Sequence, residues 1–366
     1  MFQKRITPVA AFLKHHERHL ATASFFAGFL WDQLTLSRID LWIDNLILSS
    51  YLAIATAAII VFHALDTARF KNAFLQRYAG AIPLAMQFAF GGLFSGFFFF
   101  YSRSGSLLTS WPFLLVLGGI LVGNEFLRSR YHRLAFQVSV WYFAIFSYAL
   151  YALPILFDRI DDTMFFASGL TSLAIAGCML AVFRIIAHAR LVENRTMIIA
   201  SVIGIFSAIN ILYIANILPP IPLSLKTLLV AHDVDRERDG YHVRYERIDG
   251  IVLAGADFTR TFHRFGDEPI YVYSAIFAPT NIRTDILHRW MYFDQRRDSW
   301  IATDTMHFPI IGGRDGGYRG YSFKRNVVPG LWRVEVINGR GQVLGRVTFT
   351  VVTVHEPATL KSAYYE

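Results

Sequence analysis

The chain has 366 residues, of which 54% are hydrophobic, 16% aromatic and only 17% charged, with 33 Phe and a net charge of +8. Soluble domains carry about 25% charged residues, so an ordinary water-soluble enzyme of this length is excluded, and the mean hydropathy of +0.39 agrees. The charge is unevenly spread: residues 1–226 hold 17 Lys+Arg against 10 Asp+Glu, and residues 227–366 hold 18 against 17. The basic surplus lies in the apolar part, which argues against a nucleic-acid partner, since such a partner calls for basic charge on a soluble face. With one cysteine, Cys178, neither an intrachain disulfide nor a cysteine-based zinc site is possible.

A bilayer core about 30 Å thick needs roughly 20 apolar residues per helix. Six runs meet this requirement: Leu41–Ala64, Ile82–Tyr101, Thr109–Leu127, Leu134–Phe157, Thr163–Phe183 and Met197–Leu218. A seventh, Leu20–Leu36, is shorter and carries Asp32. The charges between runs decide for it. Alternate segments hold Lys4, Arg5, Lys14 and Arg18, then Arg69, Lys71 and Arg77, then Arg128, Arg130 and Arg133, then Arg184, Arg190 and Arg195; the remaining loops hold only Arg38, Arg103 and Arg159. Positive charge stays on the cytoplasmic side, and only seven spans put all four basic segments there. The expectation is a cytoplasmic N-terminal segment (1–19), a domain of seven transmembrane helices (20–218) and a C-terminus across the membrane. Leu20–Leu36 reads as an uncleaved signal anchor, because no small-x-small cleavage site precedes the next span.

Pro219, Pro220 and Pro222 cannot continue a helix, so 219–226 reads as a stiff exit linker. Beyond it, Leu331–Ile337 alternates Trp332, Val334 and Val336 against Arg333 and Glu335. After the turn Asn338–Gly341, Gln342–Val351 alternates Val343, Val347, Phe349 and Val351 against Arg346, Thr348 and Thr350. This is a hairpin pattern. Similar runs at Tyr241–Ile248, Pro269–Ala278, Ile286–Phe293, Ser299–Ile310 and Tyr318–Lys324 predict an all-β sandwich over 227–354, followed by a loose tail (355–366).

The segments PPIPLSLK (219–226), Asp239–Gly250, His288–Asp294 and Gly312–Phe349 resemble a bacterial family of multi-pass inner-membrane proteins that end in a domain of unknown function. The resemblance implies a bacterial inner membrane with the C-terminal domain in the periplasm. It implies no active site.

Standard catalytic motifs are absent: there is no HExxH, GxSxG, Walker A or Rossmann glycine pattern. The GGRDGG of Gly312–Gly317 reads as a turn that supplies positive-φ positions. The densest polar cluster is Arg314, Tyr318, Arg319, Tyr321, Lys324 and Arg325. Residues two apart in a strand share a face, so Arg319 and Tyr321 point one way, with Tyr318 and Lys324 opposite. Arginine forks grip phosphate or carboxylate, or else pair with Asp294, Asp298, Asp304 and Asp315. Trp290, Trp300 and Trp332, with Tyr271, Tyr273 and Tyr292, form either a sugar-stacking platform or a core; Trp332 reads as core, while Trp290 and Trp300 stay open. His263, His288 and His307 are scattered without metal-ligand spacing, so neither a metal nor a cofactor is expected. Ionisable residues within a membrane are costly and informative, which singles out Asp32, followed by Arg38, Asp40 and Asp44.

These features point to a protein of the inner membrane whose β-sandwich binds an envelope component: an anionic glycan, a lipid headgroup or a partner protein. The rival reading is a transporter or enzyme for a lipid-linked substrate acting around Asp32. Gly91-Gly92 and Gly118-Gly119 fit either broken transporter helices or close helix packing.

Overall fold

The computed structural model describes residues 42–66, 76, 79–104, 107–126, 133–219, 222–246, 260–278, 283–311 and 317–365. The chain divides into two compact units, one of residues 1–99, 115–153 and 162–211, the other of residues 100–114, 154–161 and 212–366.

Among the described residues six α-helices precede the strands: α1 (Trp42–Asp66), α2 (Ile82–Ser104), α3 (Leu107–Phe126), α4 (Leu134–Leu156), α5 (Asp162–Ile186) and α6 (His188–Ile214). The helices α1, α2, α4, α5 and α6 are long and apolar enough to cross a membrane, and α3 carries a shorter apolar stretch over Ser110–Ile120. This is the helix content of a multi-pass membrane protein. The expected first span, Leu20–Leu36, lies outside the described residues.

Helix α4 is the hub of the helical unit: 72% of its membrane-length window is buried, against 17% for α6, whose surface exposes Val192, Met197, Ile199, Ile203 and Ile211. Around α4 the rings of Phe94, Phe143, Phe146 and Phe206 pack at centroid distances of 5.7–6.0 Å. The Trp141 indole donates to Thr56 Oγ1 at 2.8 Å, and Ser168 donates to the carbonyl of Ala149 at 3.0 Å. Helix α2 runs unbroken through its glycine pair. A Cβ at Gly92 would lie 2.4 Å from the Tyr51 ring, so this glycine serves close helix packing and not a helix break.

The last helix differs from its expected span. It begins at His188, nine residues before Met197, and takes Arg190, Glu193 and Arg195 into its first turns. It also stops before the prolines. Asn216 adopts φ +55°, its amide donates to Tyr213 O at 3.0 Å, and Ile217 N donates to Leu212 O at 2.9 Å. That pair of bonds is a Schellman cap with asparagine in the left-handed position. The prolines follow a helix that is already closed.

Among its described residues the second unit carries eleven strands: β1 (Ser224–Ala231), β2 (Asp233–Arg236), β3 (Tyr241–Glu246), β4 (Arg260–Phe265), β5 (Ile270–Phe277), β6 (Arg283–Asp294), β7 (Ser299–Ile311), β8 (Tyr318–Lys324), β9 (Gly330–Asn338), β10 (Val343–Val354) and β11 (Leu360–Tyr365). They form three sheets, with orders β1-β5-β8, β4-β10-β9-β6-β7 and β11-β3-β2. The pairings are antiparallel except β4 with β10, which is parallel.

This corrects the two-sheet expectation. The β1-β5-β8 sheet has a core on each face. Toward the five-stranded sheet, Ile270, Val272 and Ile276 pack with Trp290, Trp332, Val334, Val336 and Phe349. Toward the small sheet, Tyr273 and Ala275 pack with Val234, Val243, Tyr241, Tyr321 and Tyr365. Two further expectations change. The exit linker ends early, because Ser224 already pairs with Phe277. The tail is not loose, because β11 pairs along β3 from Leu360↔Glu246 to Tyr365↔Tyr241. A bulge between Val343 and Gly345 turns Leu344 inward, where alternation had placed Val343.

Candidate functional site

The proposed arginine–tyrosine cluster falls on β8, an edge strand of its sheet. Gly320 explains how closely the strand sits: a Cβ there would lie 2.6 Å from the Phe308 ring of β7. Of GGRDGG only Gly317 is described, and its φ of +86° fits the expected turn. The register sets Arg319 opposite Ala275, Tyr321 opposite Tyr273 and Phe323 opposite Tyr271.

The expected split of faces holds. On one face, Lys324 pairs with Asp304 and lies 5.7 Å from the Trp332 ring, and Tyr318 packs against the core. The Lys324 ammonium, hydrogen-bonded to Asp304, holds that carboxyl below its usual range. Lys324 is thus committed to a carboxylate, as one of the two alternatives required. On the other face, Arg319, Tyr321 and Phe323 follow at every second residue, about 13 Å from first to last at strand spacing. Tyr271 joins them, its ring 6.0 Å from Tyr321 and 5.5 Å from Phe323. Tyr241 stands edge-on against Tyr321 at 6.1 Å, and its hydroxyl reaches Arg319 O at 3.5 Å. The Arg319 guanidinium lies beside the buried Tyr273 hydroxyl; burial raises the Tyr273 phenol, and Arg319 opposes that rise. Arg325, exposed one residue past the strand, lies within electrostatic reach of Tyr271, as do Asp233 and Asp235. The shelf therefore combines tyrosine rings partly buried in the small-sheet core and the exposed Phe323 with Arg319 and Arg325 toward its two ends and Asp233 and Asp235 near Tyr271.

Trp290 does not belong to it. It is fully buried between the sheets, and its indole donates to Ser322 Oγ at 3.0 Å. The surface role considered for Trp290 is corrected on that ground: no face of the ring reaches solvent. Trp300 is half-buried under the Arg333 guanidinium, 3.9 Å from the ring centre. Arg314, Asp32, Arg38 and Asp40 lie outside the described residues, while Asp44 is buried in the first turn of α1.

Sequence reasoning missed two polar groupings. In the helical unit, His63 near the end of α1 donates from Nε2 to Gln137 Oε1 at 2.8 Å and accepts at Nδ1 from Arg190 at 3.3 Å. In the sheet unit, His232 sits between two carboxylates, with Nδ1 2.9 Å from Glu268 and Nε2 2.9 Å from Glu246. Glu246 also accepts from His263 Nδ1 at 2.8 Å and from the His263 amide at 2.7 Å. Burial alone would raise the Glu246 carboxyl, but the bonds from His232 and His263 outweigh it and bring it down to about 2. These residues come from β3, β4, the β1–β2 corner and the β4–β5 turn, so no sequence spacing announces them. Among the described residues no group of three or more His, Cys, Asp or Glu has the geometry to hold a metal ion.

A family model described as a protein of unknown function (DUF2914) matches residues 283–351. That region holds β6 to β9 and most of β10, well short of half the chain. No curated protein matches the sequence. Among solved structures, Pseudomonas fluorescens alkylpurine DNA glycosylase AlkC bound to DNA containing an abasic site analog aligns over 87% of this chain and 99% of its own, at 13% identity and a TM-score of 0.21. A superposition at that level supports no statement about fold or function.

Proposed function

We propose that the protein is a seven-span bacterial inner-membrane protein with a cytoplasmic N-terminus, whose C-terminal sheets lie in the periplasm and bind an anionic envelope component through the β8 face. The observation that carries this reading is the run Arg319, Tyr321, Phe323 and Arg325, cationic toward both ends and aromatic between, on a strand whose other face is taken up by Asp304 and the core. The clustering of basic residues in alternate inter-helix segments supports the orientation.

The test uses the full chain in detergent with both Arg319 and Arg325 replaced by alanine. Charge-assisted hydrogen bonds contribute roughly 1.5–3 kcal/mol each, so capture of anionic components from envelope extracts should fall by roughly tenfold or more. The loss should be greater at low salt than at high salt. Unchanged capture would sink the reading. A periplasm-active reporter fused after Val354 should be active and one fused after Ala187 silent; the reverse would sink the topology.

A further inference from the structure

Resting on that reading of the β8 face, we infer that its ligand is a linear glycan bearing carboxylate groups, laid along the shelf of Tyr271, Tyr321 and Phe323. Three observations carry this. First, the floor is made of rings and not of a concave cluster of charges. Tyr271 is tilted by 43° to Tyr321 and by 36° to Phe323, and Phe323 is 43% exposed. Tyr271 and Tyr321 pack partly into the small-sheet core, so the exposed Phe323 ring and the uncovered parts of the two tyrosines offer apolar surface to flat, hydroxyl-bearing sugar rings, whereas a lipid headgroup presents one compact charge and no such surface. Second, the shelf has a side wall. Tyr241 stands at 74° to Tyr321, so an occupant is guided along the strand and not across it. Third, the polar groups are spread out. Arg319 lies at one end of the run and Arg325 beyond the other, while Asp233, paired with Arg244, lies beside Tyr271. Separated guanidinium groups fit repeated carboxylates along a chain, and fixed carboxylates accept hydroxyl hydrogen bonds from the same chain.

The experiment titrates the full chain in detergent micelles with an oligogalacturonate hexamer, with maltohexaose as the uncharged control, by calorimetry. The acidic oligomer should bind, and the neutral one should bind roughly tenfold or more weakly. Phe323→Ala, at an exposed position that leaves the core intact, should weaken the acidic oligomer by roughly tenfold, and Arg325→Ala by a similar factor that shrinks at high salt. No binding of the acidic oligomer, or binding by both variants as tight as by the unaltered chain, overturns the glycan. A parallel titration with nanodiscs of anionic phospholipid separates the two proposals. Nanodisc binding lost in Arg325→Ala but kept in Phe323→Ala, without glycan binding, would overturn the glycan and leave the anionic reading standing. Binding of neither probe, together with unchanged capture from envelope extracts, would remove both.

Discussion

His63 in the helical unit and His288 in the sheet unit are both fully buried, and they are satisfied in opposite ways. In the helices the backbone bonds are closed within each segment, so polar side chains are few. His63 meets Gln137 and Arg190 from two other helices near their termini, where a guanidinium still reaches polar surroundings. His288 lies in mid-sheet, bonded at 2.8 Å to Ser274 Oγ and at 2.8 Å to Ser322 Oγ, with Trp290 donating to the same Ser322 oxygen. Its hydrogen-bond partners are two neutral hydroxyls, the Phe308 ring stands edge-on to it at 4.9 Å, and burial pushes its imidazole down to about 3. A polar group among helices can borrow charge from the ends of neighbouring spans. One between two sheets needs every partner built into the register.

The largest break in that comparison is Trp290→Ala. It removes a fully buried ring and one bond of the His288 chain, and should cost about 3–5 kcal/mol. Far-ultraviolet circular dichroism of the full chain should show the sheet component melting early while the helical component persists; an unchanged melt would mean that the packing of the central sheet on the five-stranded sheet does not depend on this contact. In the helical unit the counterpart is Gly92→Leu, whose side chain would enter the Tyr51 ring; overpacking of this kind costs about 1–3 kcal/mol. Loss of helical stability with the sheets intact is expected, and simultaneous melting of both would break the distinction between the units.

Acid should sharpen the comparison. The folded imidazole of His288 is depressed, so the unfolded chain takes up its proton first; stability is full above pH 6.5 and falls as the pH drops toward 3, by about 1.4 kcal/mol per unit. Glu246, depressed to about 2, adds a loss of the same sign below pH 4.5. Melting of the sheet unit followed from pH 7 to pH 5 tests the first term alone, and a flat profile would refute it. The smallest effect belongs to Arg244→Ala. Its pairing with Asp233 is half-exposed, so about 0–1 kcal/mol is expected; a larger loss in chemical denaturation would make the small sheet's edge more important than its tyrosine core.

The helices were legible because a membrane demands length and apolarity together, and both are written in consecutive residues. The strands β3 and β6 to β10 were legible because polar and apolar residues alternate along much of their length, and β5, covered on both faces, was legible as a short apolar and aromatic run. Four strands escaped. Leu360–Tyr365 and Asp233–Arg236 are polar and edge-bound, Ser224–Ala231 begins inside a proline-rich stretch, and Arg260–Phe265 owes its place to a parallel partner far along the chain. At the site, period two sorted Arg319 and Tyr321 from Tyr318 and Lys324 correctly. It failed at Trp290, because His288–Phe293 is bulky on both faces and parity cannot tell which one is covered.

The pairing of β11 with β3 brings Ser362 to His242 across 120 residues of chain. Closing so long a loop is entropically slow, and contacts of this range reward the chain only after nearer ones have formed. The hairpins β6-β7 and β9-β10, each closed by a short connection, are therefore the natural early structures, and the small sheet is completed last. Until Tyr365 stacks on Tyr273 at 5.1 Å, the tyrosine-rich side of the central sheet is open. During synthesis this chain has a late folding step, and a chaperone that recognises exposed aromatic strands would find its target there.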